Sequence, residues 1–255
     1  MTLLNPIINL TKFITSGVAT LTVLTGLSIA ISPSQANVIT NCSGGNCTLS
    51  KLIVPNTFIQ VGDKRFDSWG ISQNPNNVNL DNIMIDGIFQ DTNAPGLQFM
   101  VNGNALHVQG GNIVFDFDFK VTSLGEKIKD NTLTLNGYST TGDSLIDISE
   151  LVGSSQGLGD IKRKGVTAFG GDTENKTVTE EFDPVQSLWV RKKITMSAIG
   201  GGEASLTKFQ QRFSQVPEPT SILSLLALGT LGAASTVKRK LKPSQSTEKE
   251  TTKVG

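Results

Sequence analysis

The chain of 255 residues is long enough for one or two domains of ordinary size. Its 22 basic and 22 acidic side chains give a formal net charge of zero, which argues against a strongly basic nucleic-acid-binding protein. The 26 glycines follow no period of three, which excludes collagen, and apolar alternation through the middle of the chain excludes a wholly disordered protein.

The first 36 residues have the pattern of a secretory signal peptide. Lys12 is their only charged side chain, an apolar run occupies residues 18–31, and small residues at positions 34 and 36 suit a peptidase. We therefore expect signal peptidase to cut after Ala36. An uncleaved anchor is the alternative, because residues 13–31 are nearly enough to cross about 30 Å of hydrocarbon.

Residues 37–50 are interpreted as a mobile leader ahead of the first strands. Within it, Cys42 and Cys47 enclose a short loop that contains two glycines. Two thiols this close are expected to form a disulfide in an oxidising compartment, and closing so small a ring contributes about 2 kcal/mol in the chain-entropy model. Free thiols are the alternative, whereas a metal role would need more ligands than these two cysteines.

Residues 51–215 alternate apolar and polar side chains with a period of two. The clearest apolar face consists of Ile113, Phe115, Phe117, Phe119 and Val121. Such segments, bounded by turn dipeptides like Asn102-Gly103, are what antiparallel strands with one buried face require. They predict an all-β ectodomain, an antiparallel β-sandwich or a jelly-roll-like fold. Residues 204–213 fit a final strand, which we favour, or a helix.

Two groups of basic residues stand out against this pattern. Val190, Ile194 and Met196 share the apolar face of one predicted strand, and Lys192 interrupts that face. Residues 162–164, with the sequence Lys-Arg-Lys, are predicted to form a solvated loop, because neighbouring like charges usually face water.

Asp116 and Asp118 lie two residues apart on the polar face of one predicted strand. Paired carboxylates of this kind could bind calcium or serve as the acid and base of a glycosidase. A solvated outer face is the alternative, and it is the interpretation that we favour. His107, the one histidine, is expected to be exposed, and it offers too few ligands for a catalytic zinc site. We therefore predict that the protein is not an enzyme and needs no cofactor.

Trp69, Tyr138 and Trp189 are the large amphipathic aromatic side chains of the ectodomain. Polysaccharide-binding proteins lay such rings against the faces of sugars, which makes these positions candidates for a binding surface. Trp189 shares the polar side of its strand with Arg191 and Lys193, so exposure of its ring is one possibility. Packing against a second sheet is the interpretation that we favour.

Residues 216–242 combine three features in a fixed order. These are a Pro-Glu-Pro triplet, an uncharged span and a basic cluster: Pro217, Glu218 and Pro219; Ser221 to Val237; and Lys238, Arg239, Lys240 and Lys242. As a helix the span reaches about 26 Å, which suits one short transmembrane helix. Because basic residues beside a span stay in the cytoplasm, residues 37–219 are expected to lie outside the cell membrane.

This order of features resembles the PEP-CTERM sorting signal of exported bacterial proteins. Residues 200–205 and 213–215, ahead of the motif, are also similar to those of cyanobacterial members. The family motif falls on Pro217, Glu218 and Pro219, on the span, and on residues 238–242. The resemblance implies that an exosortase recognises the triplet, cuts or transfers the chain nearby, and leaves the protein at the cell surface or outside the cell. The polar tail 243–255 departs from the family signal, which usually stops soon after the basic cluster.

We thus predict an exported, non-catalytic protein of the cell surface or extracellular matrix. Signal peptidase and exosortase are its expected partners during export, the C-terminal helix its membrane contact, and exopolysaccharide the setting that the resemblance implies. Without its two ends the chain keeps 15 basic and 20 acidic side chains, so nucleic acid is not an expected partner. The alternatives are a carbohydrate-binding module and, less favoured, a secreted polysaccharide hydrolase.

Overall fold

The structure is a computed structural model that describes residues 38–42, 47–89 and 94–216. Nearly all regular structure in them is antiparallel sheet, which confirms the all-β prediction. The predicted signal helix and C-terminal span lie outside these residues. The described helices are α1 (Leu49–Leu52) and a 3₁₀ turn (Leu80–Asn82), and neither has the length to cross a bilayer.

Ten strands form one hydrogen-bonded sheet within the described residues. They are β1 (Val38–Thr40), β2 (Ile59–Val61), β3 (Lys64–Gln73), β4 (Ile83–Ile88), β5 (Gly96–Val101), β6 (His107–Ser123), β7 (Ile128–Gly153), β8 (Lys162–Phe169), β9 (Lys176–Val185) and β10 (Ser187–Gln215). One path through the sheet runs β1-β2-β3-β6-β10-β5-β4, while β7 pairs with β10, β8 and β9. The last strand in sequence, β10, is therefore central: β6 and β5 follow one another along one of its edges, and β7 occupies the other.

The sheet folds over so that its two halves face each other. On β10, Lys192 pairs with Phe117 of β6 and Phe209 pairs with Phe99 of β5. A straight strand would place these two pairs about 56 Å apart, at about 3.3 Å per residue. Yet the ring centroids of Phe99 and Phe117 are 5.6 Å apart. The strands must bend between the two pairs, which produces the two facing layers of a β-sandwich.

A run of glycines makes this bend. The register of β10 shifts between Ala198 and Glu203, where Gly200 and Gly201 have φ angles of 60° and 87°. Side chains with a Cβ rarely adopt such angles, whereas glycine adopts them freely. Opposite the shift, β6 and β7 also carry glycines with left-handed φ angles, so the three adjacent strands bend at the same position along the sheet. The first layer then contains β3, residues 187–199 of β10 and β8, and the second contains β4, β5 and β9.

Phenylalanine rings fill the space between the layers. Phe66 of the first layer lies 5.7 Å from Phe213 of the second, and Phe99 stacks on Phe209 at 4.5 Å. All four side chains are fully buried, and burying each contributes about 1.5–3 kcal/mol. The predicted apolar face of β6 is confirmed for its three phenylalanines and Val121, which have no exposed surface, whereas Ile113 is half-buried. The strand interpretation of residues 204–213 is confirmed as well.

The described part of the predicted leader packs against this domain. β1 pairs with β2, and Leu49 of α1 is completely buried. The predicted disulfide is present: Cys42 and Cys47 are bonded, with their Cα atoms 5.4 Å apart and both residues buried. The folded region therefore includes β1, which the sequence interpretation had placed in a leader.

Candidate functional site

Asp118 is buried on the outward face of β6 and is held by two partners. Its carboxylate accepts a 2.7 Å hydrogen bond from Nε of Arg191, which lies opposite in the strand register, and another from the hydroxyl of Ser72. The loop after β7 covers this face, because Gly157 approaches the guanidinium of Arg191 so closely that a Cβ would lie 2.6 Å from it. The prediction of a solvated carboxylate was therefore wrong for Asp118, whose side chain is 1 % exposed.

Asp116 lies beside Asp118 but has a different environment. Its residue is 7 % exposed, and within the described residues its Oδ1 has no hydrogen-bond partner. Burial raises the pKa of Asp116, although the charges of Lys193 and Arg191 oppose the effect. The described residues contain no cluster of three or more His, Cys, Asp or Glu side chains that could hold a metal ion. The described residues therefore supply no third side-chain ligand of these types for a calcium ion at Asp116 and Asp118.

A cleft of about 440 Å³ opens beside Trp189. Leu188 and Val190 are buried, so strand alternation turns Trp189 outward, where it is half-buried. The walls also include Gln156 and the ion pair of Arg65 and Asp67, whose Nε–Oδ2 distance is 2.9 Å. An aromatic ring beside a guanidinium, a carboxylate and an amide combines a stacking surface with hydrogen-bonding groups of both kinds.

The irregular strand β3 shapes the inner wall of this cleft. Ser68 has a φ angle of 55°, and the register with β6 shifts between Asp67 and Gly70. The shift turns Trp69 inward, where it stacks on Phe119 with ring centroids 4.7 Å apart. Trp69 therefore supports the cleft from the core side, while Trp189 presents its ring from the outer side.

The remaining predicted site residues lie elsewhere. Tyr138 is half-buried on β7, and its hydroxyl donates a 2.6 Å hydrogen bond to the carbonyl of Glu174. His107 is half-buried rather than fully exposed, with its Nδ1 3.6 Å from a carboxylate oxygen of Glu203. The structure thus brings Trp69 and Trp189 to one cleft and leaves Tyr138 and His107 apart from it.

A polar cluster between the two layers was missed by the sequence analysis. We call it the buried lysine cluster, and it consists of Asn131, Glu150, Lys164, Lys192 and Gln211. The first layer supplies Glu150, Lys164 and Lys192, whose side chains are at most 1 % exposed. The second layer supplies Asn131 and Gln211, which have no exposed surface.

Strand register explains why the lysines of this cluster point inward. Lys192 follows the alternation of the buried Val190 and Ile194, so it occupies the inward position between them. The predicted loop at residues 162–164 was wrong, because β8 begins at Lys162 and pairs Lys164 with Glu150. A glutamate and a lysine at apolar-facing positions of long predicted strands are the sequence signal that identifies such a cluster.

Six contacts hold the polar groups of the cluster together. Nδ2 of Asn131 donates a 2.5 Å hydrogen bond to Oε1 of Glu150. Nζ of Lys164 lies 3.5 Å from that same oxygen, donates a 2.6 Å hydrogen bond to the backbone carbonyl of Asn131, and contacts its side-chain Oδ1. Lys192 donates to Oε2 of Glu150 and to Oε1 of Gln211.

Both lysines contact Glu150, and burial changes how all three groups titrate. Burial lowers the pKa of Lys192 to about 8 and also lowers the pKa of Lys164, although the charge of Glu150 opposes both effects. Burial alone would raise the pKa of Glu150, but the two lysines and Asn131 outweigh it and bring that pKa below its ordinary value. At neutral pH Glu150 is ionised, and the lysines release a proton more readily than exposed lysines do.

The described chain ends at Val216, immediately after β10. Its backbone N–H donates a 3.0 Å hydrogen bond to the carbonyl of Lys127, so the end of the strand is tied to the start of β7. Pro217, Glu218, Pro219, the span from Ser221 to Val237 and the basic cluster lie outside the described residues.

Comparison with protein families identifies the segment that follows. Residues 215–240 match the model of the PEP-CTERM protein-sorting motif. The chain carries a PEP-CTERM sorting motif. This confirms the resemblance drawn from the Pro-Glu-Pro triplet, the span and the basic cluster, while a cyanobacterial origin stays a prediction. The PEP-CTERM motif begins at the last residue of β10, so the match covers the segment that follows the folded domain and not the domain itself.

Other comparisons give distant similarities. The search of curated proteins finds no match. Among solved structures, the chain is similar to TmCBM61 in complex with β-1,4-galactotriose, at 12 % identity and a TM-score of 0.28, over 56 % of this chain and 87 % of the other. It is also similar to the glycosylation associate protein (Gap123) complex from Streptococcus agalactiae, at 18 % identity and a TM-score of 0.28, over 56 % of this chain and 24 % of the other. The enzymatically active domain of bacteriophage CBA120 tailspike protein 4 matches at 13 % identity and a TM-score of 0.27, over 56 % of this chain and 19 % of the other.

Proposed function

We propose that the protein is exported, sorted by an exosortase, and retained at the cell surface or in the extracellular matrix as a non-catalytic, jelly-roll-like β-sandwich. The observation that carries this proposal is the PEP-CTERM motif at residues 215–240. Signal peptidase and exosortase are the processing partners. The disulfide between Cys42 and Cys47 supports export, because disulfides form and persist in oxidising compartments.

The position of the motif suits processing beside an intact domain. Val216 is still hydrogen-bonded to Lys127, and the Pro-Glu-Pro triplet follows directly in the sequence. Because proline has no backbone N–H to donate to a ladder, the triplet is a poor continuation of β10. Cleavage or transfer at this triplet removes the span and leaves every strand of the sheet in place.

Replacing Pro217, Glu218 and Pro219 with alanine tests the proposal. We expect the variant to stay in the membrane at full length, whereas the wild-type protein is shortened and leaves the membrane fraction. Immunoblots of membrane and medium fractions, with intact masses, measure both effects. The matched control changes three residues of the polar tail, Pro243, Ser244 and Gln245, to alanine and should be processed normally. Normal processing of the triplet variant would refute sorting at this site.

Carbohydrate binding is a second candidate function, favoured by the cleft beside Trp189. The ring there is half-buried, and Arg65, Asp67 and Gln156 offer donors and acceptors that suit sugar hydroxyls. The engagement of Asp118 by Arg191 and Ser72 leaves that carboxylate little freedom to act in hydrolysis, so we propose binding without turnover.

Affinity electrophoresis tests this second function. In gels that contain galactan, xylan or the exopolysaccharide of the producing cell, we expect one of the three to retard the wild-type protein. Trp189→Ala should lose about two- to ten-fold in affinity, because an aromatic contact contributes about 0.5–1.5 kcal/mol. Phe169→Ala is the control, since Phe169 is an exposed ring at the end of β8 and outside the cleft. Equal migration of all proteins in every gel would exclude this function.

A further inference from the structure

The buried lysine cluster places an amine, a carboxamide and a carboxylate in mutual contact between the two layers. We propose that Lys164 and Asn131 join covalently through an isopeptide bond, which the chain forms by itself with Glu150 as the proton carrier. The bond would tie β8 in the first layer to the start of β7 in the second. This inference is independent of the sorting proposal, because it concerns only the interior of the domain.

Lys164 is placed as the nucleophile of this reaction. Its Nζ contacts Oδ1 of Asn131 and lies 2.6 Å from the backbone carbonyl of the same residue, so its position against the amide is fixed from two sides. Amines of buried lysines are well-known nucleophiles, since burial favours their neutral form. Holding an amine in contact with an amide replaces a slow bimolecular encounter by a reaction within one assembled site.

The orientation of the Asn131 amide follows from its neighbours. An ionised carboxylate accepts hydrogen bonds but donates none, so the NH₂ group of Asn131 must face Glu150 and the carbonyl oxygen must face Lys164. Lys164 thus lies at the carbonyl side of the amide, and the Glu150 carboxylate lies beside Nδ2, the nitrogen that leaves as ammonia.

Glu150 is close enough to both nitrogens to carry the proton between them. Its Oε1 lies 3.5 Å from Nζ of Lys164 and 2.5 Å from Nδ2 of Asn131. In the first step the Lys164 ammonium gives a proton to Glu150, and the lone pair that it frees attacks Cγ of Asn131. The new N–C bond forms a tetrahedral intermediate. Glu150 then delivers the proton to Nδ2, and the C–Nδ2 bond breaks to release ammonia. The second proton of the former amine passes through Glu150 to this ammonia, which leaves as ammonium, and a neutral secondary amide remains.

The reaction balances without any further reactant. A lysine ammonium and a carboxamide give one secondary amide and one ammonium ion, so the charge is conserved and nothing is oxidised. The chain loses ammonia and therefore becomes lighter by about 17 Da. Glu150 returns to its ionised form at the end.

The charges of the cluster favour the product. With both lysines protonated, the two amines share Glu150 as their contacting carboxylate, and Glu180 and Asp130 add attraction to Lys164. A buried charge without a contacting partner of its own is destabilising. Bond formation removes the charge of Lys164 and leaves Lys192 and Glu150 as a balanced ion pair.

The second lysine is a poorer candidate for the same reaction. Lys192 contacts Oε1 of Gln211, which makes Gln211 its nearest amide. However, Nε2 of Gln211 has no hydrogen-bond partner among the residues that the structure describes, so no acid stands where ammonia would have to leave. The contact of Glu150 with both the amine and the leaving nitrogen singles out Lys164 and Asn131.

Peptide mapping of the mature, full-length folded protein tests the proposal. After trypsin digestion we expect one cross-linked product that joins residues 130–162 to residues 164–176, about 17 Da lighter than the two peptides together. Fragmentation should place the link on Asn131 and Lys164. Recovery of the free peptides 130–162 and 165–176 as the dominant species would overturn the proposal, and so would a link between Lys192 and Gln211.

Three variants separate the chemistry from folding. Glu150→Gln and Lys164→Arg should both lack the link, since the first cannot carry the proton and the second has no primary amine. Lys162→Arg makes the same exchange on a half-exposed neighbour and should keep the link. The wild-type peptide map decides the question even if the first two variants fail to fold. A link retained in a folded Glu150→Gln protein would overturn the role of Glu150.

Discussion

Asp116 and Asp118 lie on the same face of β6, yet their surroundings give their charges opposite effects on stability. Asp118 accepts hydrogen bonds from Arg191 and Ser72. Asp116 is buried with one oxygen unpartnered among the described residues, and burial raises its pKa. The two aspartates look alike in the sequence, but we therefore expect their substitutions to change the free energy of unfolding in opposite directions.

The charge of Asp116 should destabilise the fold at neutral pH. Because its folded pKa lies above the ordinary value of 3.8, the unfolded chain releases this proton first as the pH rises, and the free energy of unfolding falls. Asp116→Asn should therefore raise the free energy of unfolding by about 0.5 kcal/mol at pH 7, a modest gain because the nearby cationic side chains already offset part of the penalty. The gain should disappear below pH 3.8. Urea denaturation at several pH values measures it.

The neighbouring substitution should act in the opposite direction. Asp118→Asn removes the negative partner of Arg191, and losing a hydrogen bond to a charged group costs about 1.5–3 kcal/mol. Asp86→Asn on β4 changes an exposed carboxylate and serves as the control, with an effect within about 0.5 kcal/mol. If Asp116→Asn and Asp118→Asn destabilised the protein equally, the difference between their environments would be refuted.

Sequence periodicity predicts on which face of the sheet a side chain lies, but not which residues it contacts there. It placed the phenylalanines of β6 in the core, because alternation is a local property of the chain. It could not show that Lys192 meets Glu150, or that Asp118 meets Arg191, because those contacts depend on strand register between segments far apart in sequence. The burial of Asp118 likewise depends on a loop that folds back from the end of β7.

At the level of the strands, the fold depends on the bend in β10. Gly200 and Gly201 both have left-handed φ angles, and a Cβ on Gly201 would meet no atom within 4 Å. A Cβ on Gly201 would therefore not be crowded by other parts of the described chain, and only the local backbone angle resists a side chain. The glycines of β6 and β7 at the same level indicate that the bend belongs to three strands and not to one.

Substituting Gly201 tests the cost of this bend. Gly201→Ala should lower the free energy of unfolding by about 1–2 kcal/mol, because a left-handed backbone angle brings the Cβ close to the carbonyl oxygen. Gly70→Ala is the matched control: it is a strand glycine without a left-handed angle, and its Cβ would meet only the flexible end of Gln156, at 3.4 Å. Urea titration gives both values. A Gly201→Ala protein as stable as the wild type would show that the bend does not require this glycine.

Across the whole molecule, the order of strands in sequence links completion of the fold to the residues directly ahead of the PEP-CTERM motif. Of the described strands, β10 is translated last, and it lies at the centre of the sheet, with β6 and β5 on one edge and β7 on the other. It also supplies Phe209 and Phe213 to the core between the layers. Folding therefore cannot finish before the residues directly ahead of the PEP-CTERM motif are available.

Truncations on either side of β10 should consequently behave in opposite ways. Residues 37–216 keep every described strand and should unfold in one cooperative thermal transition. Residues 37–186 lack β10, which leaves β5, β6 and β7 without their shared partner and the Phe99 ring without its stacking neighbour, so no cooperative transition is expected. Circular dichroism at 215–220 nm during heating, a range that reports on β-structure, distinguishes the two. Cooperative unfolding of 37–186 would mean that the remaining strands form a stable sheet without β10, and that sorting and completion of the fold are not linked through this strand.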